Sequence, residues 1–227
     1  MTTQNWIKQY ALAIAVLLMG TMTWAQVGIK AGINLASLSQ DPDEATYEDY
    51  KAKSILGFQG GLTVELPIGG PFAIQPEFLF IQKGGKSEYI INENNKLMTS
   101  VTYNYVEVPV LLKLKLGSTD GDGAGFYLIG GPFVGYSLTG KVKQELTVLG
   151  QTTTSEESID YTDEDFNEKR LDWGTSFGAG IHLGKLFIDA RYNLGINNLL
   201  DEDANNNNDN KPYLRTRGIG LTVGFVI

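Results

Sequence analysis

Few side chains in this sequence are equipped for chemistry, and most of those stand at alternate positions. His182 is the only histidine of the chain. A catalytic dyad built on it would need an activated nucleophile within hydrogen-bonding range and a further group to orient the ring. Nothing at motif spacing supplies either, so a hydrogen-bonded interior or rim histidine is expected. The run DEDANNNNDN at 201–210 is rich in oxygen ligands, which makes Asp201, Asp203 and Asp209 a calcium candidate. It lacks the glycine and the downstream glutamate of the EF-hand loop, and a solvated loop is the competing reading. The chain has no cysteine, which removes thiol catalysis, cysteine-ligated zinc and a disulfide scaffold. No catalytic set and no cofactor site emerge, so an enzyme is not expected.

The remaining candidates are Lys30, Glu65, Glu77, Glu107, Lys113, Asp189 and Arg191. They carry both signs and fall on the polar side of segments that alternate strictly. Two readings follow. Either they pair across a closed interior and fill it, or they line a narrow ion path; an eight-stranded barrel is just wide enough to be filled by its own side chains.

Those positions imply strands. Val27, Ile29, Ala31, Ile33 and Leu35 alternate with Gly28, Lys30, Gly32 and Asn34, and Leu56, Phe58, Gly60, Leu62, Val64 and Leu66 alternate with Gly57, Gln59, Gly61, Thr63 and Glu65. A third strand is expected over 72–82, with Gln75 and Glu77 on its polar side. A fourth sets Val106, Val108, Val110, Leu112 and Leu114 against Glu107, Pro109, Lys113 and Lys115. The fifth, 126–138, is apolar or small on both faces, and its parity is open. The sixth sets Thr175, Phe177, Ala179, Ile181 and Leu183 against Ser176, Gly178, Gly180 and His182, and the seventh sets Leu186, Ile188, Ala190, Tyr192 and Leu194 against Asp189, Arg191 and Asn193. The last sets Ile219, Leu221, Val223, Phe225 and Ile227 against Gly218, Gly220, Thr222 and Gly224.

The connections alternate in length. Long ones are expected at 37–53, 83–102, 140–169 and 198–212, and short ones at 68–70, 117–125 and 184–185. Short turns on one rim and long polar loops on the other are the pattern of an outer-membrane barrel. The fold class is therefore all-β: an eight-stranded antiparallel up-and-down transmembrane barrel. A soluble lipocalin-like carrier would alternate too, but with its apolar face turned inward around a ligand. The polar face here is crowded by glycine and small polar residues, as a narrow interior requires, while Leu, Val, Ile and Phe fill the other and suit lipid. Aromatic girdles are expected from Phe80, Tyr103, Tyr105, Tyr136, Trp173 and Tyr213 on the loop side and Phe72, Phe126 and Phe225 on the turn side. Tyr103 and Tyr105 fall on the inward parity, which leaves a bulge near Tyr105 or two rings inside the mouth.

The beginning of the chain bears on its destination. Residues 1–25 read as a signal peptide: a polar start with Lys8, an apolar run over 10–22, and Thr23 and Ala25 before a cut ahead of Gln26. An uncleaved anchor is the alternative, although the run is short for a spanning helix. The barrel domain is then 26–227, and removing Lys8 with the leader takes the net charge from −8 to −9. So acidic a chain without a basic run is a poor nucleic-acid binder. Expected partners are outer-membrane lipid and lipopolysaccharide, and other envelope or secretion proteins.

The pieces VGIKAGINLASL, YNYVEVPVLLKLKL, GPFVGYSL, GTSFGAGIHLGKLFIDARYNLGINNL and GIGLTVGFVI, in that order, resemble the PorT-like outer-membrane β-barrel family of Bacteroidetes. The resemblance covers most of the chain outside its loops and implies an eight-stranded barrel in the outer membrane. It transfers no role, though one namesake is tied to protein secretion. Such barrels usually close on an aromatic residue; here Phe225 stands two positions before Ile227. Three functions stay open: a structural or interaction barrel at the cell surface, a component of a secretion or envelope complex, and a periplasmic ligand carrier.

Overall fold

The computed structural model describes residues 25–40, 50–92, 94–117, 124–159, 161, 169–200 and 213–227. The expected leader up to Trp24 and the calcium candidates Asp201, Asp203 and Asp209 lie outside the described residues. The strands are β1 (Gln26–Gln40), β2 (Tyr50–Lys53), β3 (Ile55–Gly69), β4 (Phe72–Asn92), β5 (Asn95–Gly117), β6 (Ala124–Val148), β7 (Gln151–Ile159), β8 (Leu171–Leu183), β9 (Leu186–Gly195) and β10 (Leu214–Val226). Eight of them close a ring by antiparallel pairing in the order β1, β3, β4, β5, β6, β8, β9, β10 and back to β1. Closure leaves these strands no open edge at the level of the barrel, since each pairs with a neighbour on both sides, as a lipid surrounding demands.

The apolar side of the alternation faces outward. Ile29, Ile33, Leu62, Phe78, Leu112, Leu128, Phe177, Leu221 and Val223 are all exposed, while Lys30, Asn34, Thr63, Glu77, Lys113, Asp189 and Thr222 on the opposite parity are buried. This is the reverse of a ligand-carrying soluble barrel, which hides its apolar face. The open parity over 126–138 resolves the same way. Phe126, Leu128, Val134, Tyr136 and Leu138 face out, and Tyr127, Ile129, Phe133 and Ser137 face in. Periodicity could not separate the faces because apolar side chains fill the interior here as well.

Tyr103 and Tyr105 leave the expected girdle. Both are buried inside the mouth with Ile81, and Leu38, Val101 and Ile159 pack against them. The alternation of β5 runs through them unbroken. The register shift lies on the other strand: Asn104 pairs with Thr139 and Tyr105 with Ser137, so Leu138 of β6 is the extra residue. The other expected girdle members Tyr136, Trp173, Phe72, Phe126 and Phe225 are exposed, and Phe80 stacks on Phe58 with ring centroids 5.5 Å apart.

The expected long loops are in large part strands. Segment 83–102 is a hairpin that carries β4 to Asn92 and resumes in β5 at Asn95. Segment 140–169 holds the last part of β6, from Gly140 to Val148, and all of β7, and 37–53 holds the end of β1 and β2. Together β2, β4, β5, β6 and β7 form a sheet that continues past the barrel rim. The turn between β6 and β7 is Leu149-Gly150, with φ of 51° and 79° and Val148 paired to Gln151. Positive φ at both central residues is the primed turn that suits the twist of a two-residue hairpin. These strands escape period-two reading because beyond the bilayer neither face must be apolar. Tyr89, Leu97 and Leu146 share one row and face, while Lys86, Glu88, Lys143 and Glu145 stand on the other. On that charged face Lys53 pairs with Glu88, and its hydrogen bond holds the Glu88 carboxyl below the usual carboxylate range.

Glycine makes room for the interior. A Cβ at Gly224 would lie 2.1 Å from the Phe187 ring, and one at Gly180 would lie 2.3 Å from the Tyr127 ring. Gly224→Val should therefore lower stability by about 1–3 kcal/mol, the usual cost of overpacking. Urea unfolding in micelles measures it, and adding Phe187→Ala to the same chain should return part of the loss, because the three atoms nearest the added Cβ all belong to that ring.

Candidate functional site

The interior is the chemical centre of the barrel, and it is built in tiers. Alternation on β1, β4 and β9 sends Lys30, Glu77, Asp189 and Arg191 to one level. Arg191 donates through both terminal nitrogens to Glu77, at 2.6 and 2.8 Å, and through Nε to Asp189 at 2.7 Å. Lys30 lies 3.3 Å from Asp189 and 3.5 Å from Glu77, and Gln75 donates to Glu77 at 2.6 Å. The forked guanidinium matches a carboxylate edge, which makes this the strongest kind of ion pair a protein builds. These four side chains are almost wholly buried.

Toward the short-turn rim, Glu65 takes Lys113 at 2.7 Å and pairs with Lys115. The Lys113 ammonium also sits 4.0 Å from the centroid of the Tyr127 ring. Leu111, Tyr127, Ile129 and Phe187 form an apolar cluster beside this tier. A cavity of about 20 Å³ remains, lined by Thr63, Glu65, Gln75, Lys113 and Phe187 among others, with room for about one water.

Toward the long-loop rim, Lys83 bridges two carboxylates, Glu107 at 2.5 Å and Asp172 at 2.8 Å. Thr216 donates to the same Asp172 oxygen at 2.7 Å. The Lys83 ammonium is flanked by the Phe133 ring at 4.3 Å and the Tyr105 ring at 5.1 Å from their centroids. Above this tier lies the apolar cluster of Ile81, Tyr103 and Tyr105. The lumen thus carries three ionic tiers, with an apolar cluster beside the lowest and an apolar cap over the highest.

All seven candidates named from the alternation, Lys30, Glu65, Glu77, Glu107, Lys113, Asp189 and Arg191, lie on the inward face, and each reaches at least one opposite charge. They do not form one network, because the tiers separate them. Lys83, Asp172 and Lys115 complete the set. Lys83 has the parity of Glu77, six residues on, and Asp172 has the parity of Ser176; carrying the third alternation past 82 and the sixth back before Thr175 would have found both. His182 is inward and half-buried near the short-turn rim, and Gly125 across the pair leaves it room. The arrangement pairs its own charges with one another.

Just above the outward apolar band, polar side chains are tied into a ladder. Gln82 donates to Asn104 at 3.0 Å, and Asn104 to Thr139 at 2.8 Å. This rung marks where the lipid-facing wall ends and the projecting sheet begins.

A family model described as Outer membrane protein beta-barrel domain matches residues 23–201. No curated relative matches the chain in sequence. Among solved structures the chain is similar to Neisserial surface protein A, at 10% identity over 89% of this chain and 99% of that one with a TM-score of 0.40. It is similar to Ail, the attachment invasion locus protein of Yersinia pestis, at 15% identity over 89% and 99% with a TM-score of 0.41. It is also similar to the outer membrane protein OprG from Pseudomonas aeruginosa, at 10% identity over 89% and 96% with a TM-score of 0.45.

Removing the one cation of the upper tier would leave two carboxylates facing each other out of water. Lys83→Met should cost about 3–5 kcal/mol, the range for breaking a buried pair. Its urea midpoint in micelles is the measurement, and Asp172→Asn in the same chain should return part of the loss.

Proposed function

We propose, since the chain belongs to the outer membrane protein β-barrel domain family, that its barrel is a non-conducting stem in the outer membrane that holds a projecting sheet at the cell surface for interaction. The observation that carries this is the pairing of every inward cation named above with a carboxylate across the lumen. Ions moving through would have to displace partners held by charge-assisted bonds in a buried interior, and the apolar cap lies above them. With the interior committed to its own packing, the surfaces left for partners are the sheet, the loops and the rims.

In this reading a leader cut ahead of Gln26 delivers the chain to the periplasm, and the longer connections face the exterior. The finer placement among PorT-like barrels of Bacteroidetes rests on the sequence segments quoted above. A docking role in an envelope or secretion complex is the same reading with the partner inside the envelope. Lipid and lipopolysaccharide then surround the exposed wall, with the polar ladder of Gln82, Asn104 and Thr139 at its outer margin.

Planar-bilayer recording of the purified protein tests it. The expected result is no steady single-channel current from the native chain, and none from Arg191→Ala either, although that variant melts at a lower temperature. Steady currents from the native protein would overturn the reading.

A further inference from the structure

The projecting sheet ends on a strand whose far side is open. Among the described residues β7 pairs only with β6, and Gln151 to Ser158 are exposed along its length. The turn fixes which backbone groups are spent. Val148 and Gln151 flank a two-residue primed turn, so they form a hydrogen-bonded pair, and pairs alternate from there. Gln151, Thr153, Ser155 and Glu157 therefore direct their N–H and C=O groups to β6. Thr152, Thr154, Glu156 and Ser158 direct theirs to the open side. The Thr152 hydroxyl lies 2.9 Å from that of Thr147, as expected of the closer, non-hydrogen-bonded pairs.

The edge is held in place at both ends. Ile159 packs on the apolar cap in the barrel mouth. At the tip, Leu149 N–H donates to Asn95 Oδ1 at 3.0 Å and Gly150 N–H to the Asn94 carbonyl at 3.2 Å. An edge strand is normally blunted by proline, lysine or a bulge. β7 reads QTTTSEESI, with none of these and with threonines that favour extended backbone. Its only charges are Glu156 and Glu157. Glu156 stands opposite Lys143, whereas Glu157 stands opposite Val142, and the following residues 160–168 read DYTDEDFNE. A second copy of the chain pairing along β7 would bring Glu156 and Glu157 of both copies together, which disfavours it.

We infer that the open edge of β7 accepts an extended segment of another protein as an added strand, and that the segment carries basic side chains. The main chain supplies the bonds of strand addition, and the acidic edge selects the charge. This rests on the reading of the barrel as a stem that holds the sheet outside the cell.

The chain has no cysteine, so Thr152→Cys gives a single labelling site. Labelling of intact cells by a membrane-impermeant maleimide tests presentation; protection there, with labelling after lysis, would sink the stem reading and this inference with it. Binding is tested apart from presentation, on detergent-solubilised protein, by fluorescence anisotropy of a peptide of alternating lysine and valine as long as β7. The peptide should bind the native protein, and its counterpart with alternate amides N-methylated should not. Thr154→Pro removes one outward N–H without touching a bond to β6, and should weaken the peptide about fivefold to tenfold. Glu157→Lys leaves every backbone bond in place and should also weaken it several-fold. Equal binding of the methylated peptide, or unchanged affinity in both variants, would overturn strand addition by a basic segment. So would a native dimer that Thr154→Pro dissolves, since the occupant would then be a second copy.

Discussion

A ring of eight strands encloses a space that side chains alone fill, and any charge placed there loses its water. That constraint governs the rest of the molecule. An unpaired buried ion costs several kcal/mol, so each inward cation must meet a carboxylate from another strand or from its own. Arg191 meets Glu77 and Asp189, Lys83 meets Glu107 and Asp172, and Lys113 meets Glu65. Apart from Arg191–Asp189 within β9, these pairs join different strands, so they act as cross-ties that a slipped register would break. A one-residue slip would turn a strand's paired charges toward lipid and its outward leucines inward. The ionic tiers thus contribute to specifying the fold whatever their net worth in stability.

The same constraint moves function outward. An interior closed by its own pairs has little to offer a ligand, and the cavity that remains near Lys113 and Glu65 has room for about one water. The strands, however, do not stop where the lipid does. β4, β5 and β6 continue past the polar ladder of Gln82, Asn104 and Thr139 and become a sheet with β2 and β7 at its edges. The stem therefore sets the orientation of that sheet through continuous backbone. Loops on a barrel rim would have no such stiffness.

Much of this was legible in the alternation of residues. Ile29, Ile33 and Leu62 on one parity and Lys30, Asn34 and Thr63 on the other settle the faces of β1 and β3, because a bilayer outside and a narrow polar space inside impose opposite chemistry. The pattern failed where one of those demands lapses. Over 126–138 the interior is itself apolar, with Ile129 and Phe133 inside, and binary patterning has nothing to contrast. Past Lys83 and Gly140 there is no bilayer, and strands with threonine, serine and lysine on both faces look like loops. Lys83 was lost for that reason, since it continues β4 past its last lipid-facing residue. Asp172 was lost because the sixth alternation reads only from Thr175, although Leu171 and Trp173 on either side of it face outward. Tyr103 and Tyr105 show a third limit, since an aromatic near a rim reads as a girdle residue until its parity is followed inward.

The claim that paired charges hold the lumen together is tested most directly by a double-mutant cycle on Glu77 and Arg191. Stability in micelles is measured for Glu77→Gln, Arg191→Met and the two combined. The account predicts strong coupling, on the order of 2 kcal/mol or more, with the double variant losing well less than the sum of the single losses. Additive losses would contradict it, because each side chain would then contribute through packing alone and the pairing across the lumen would be incidental.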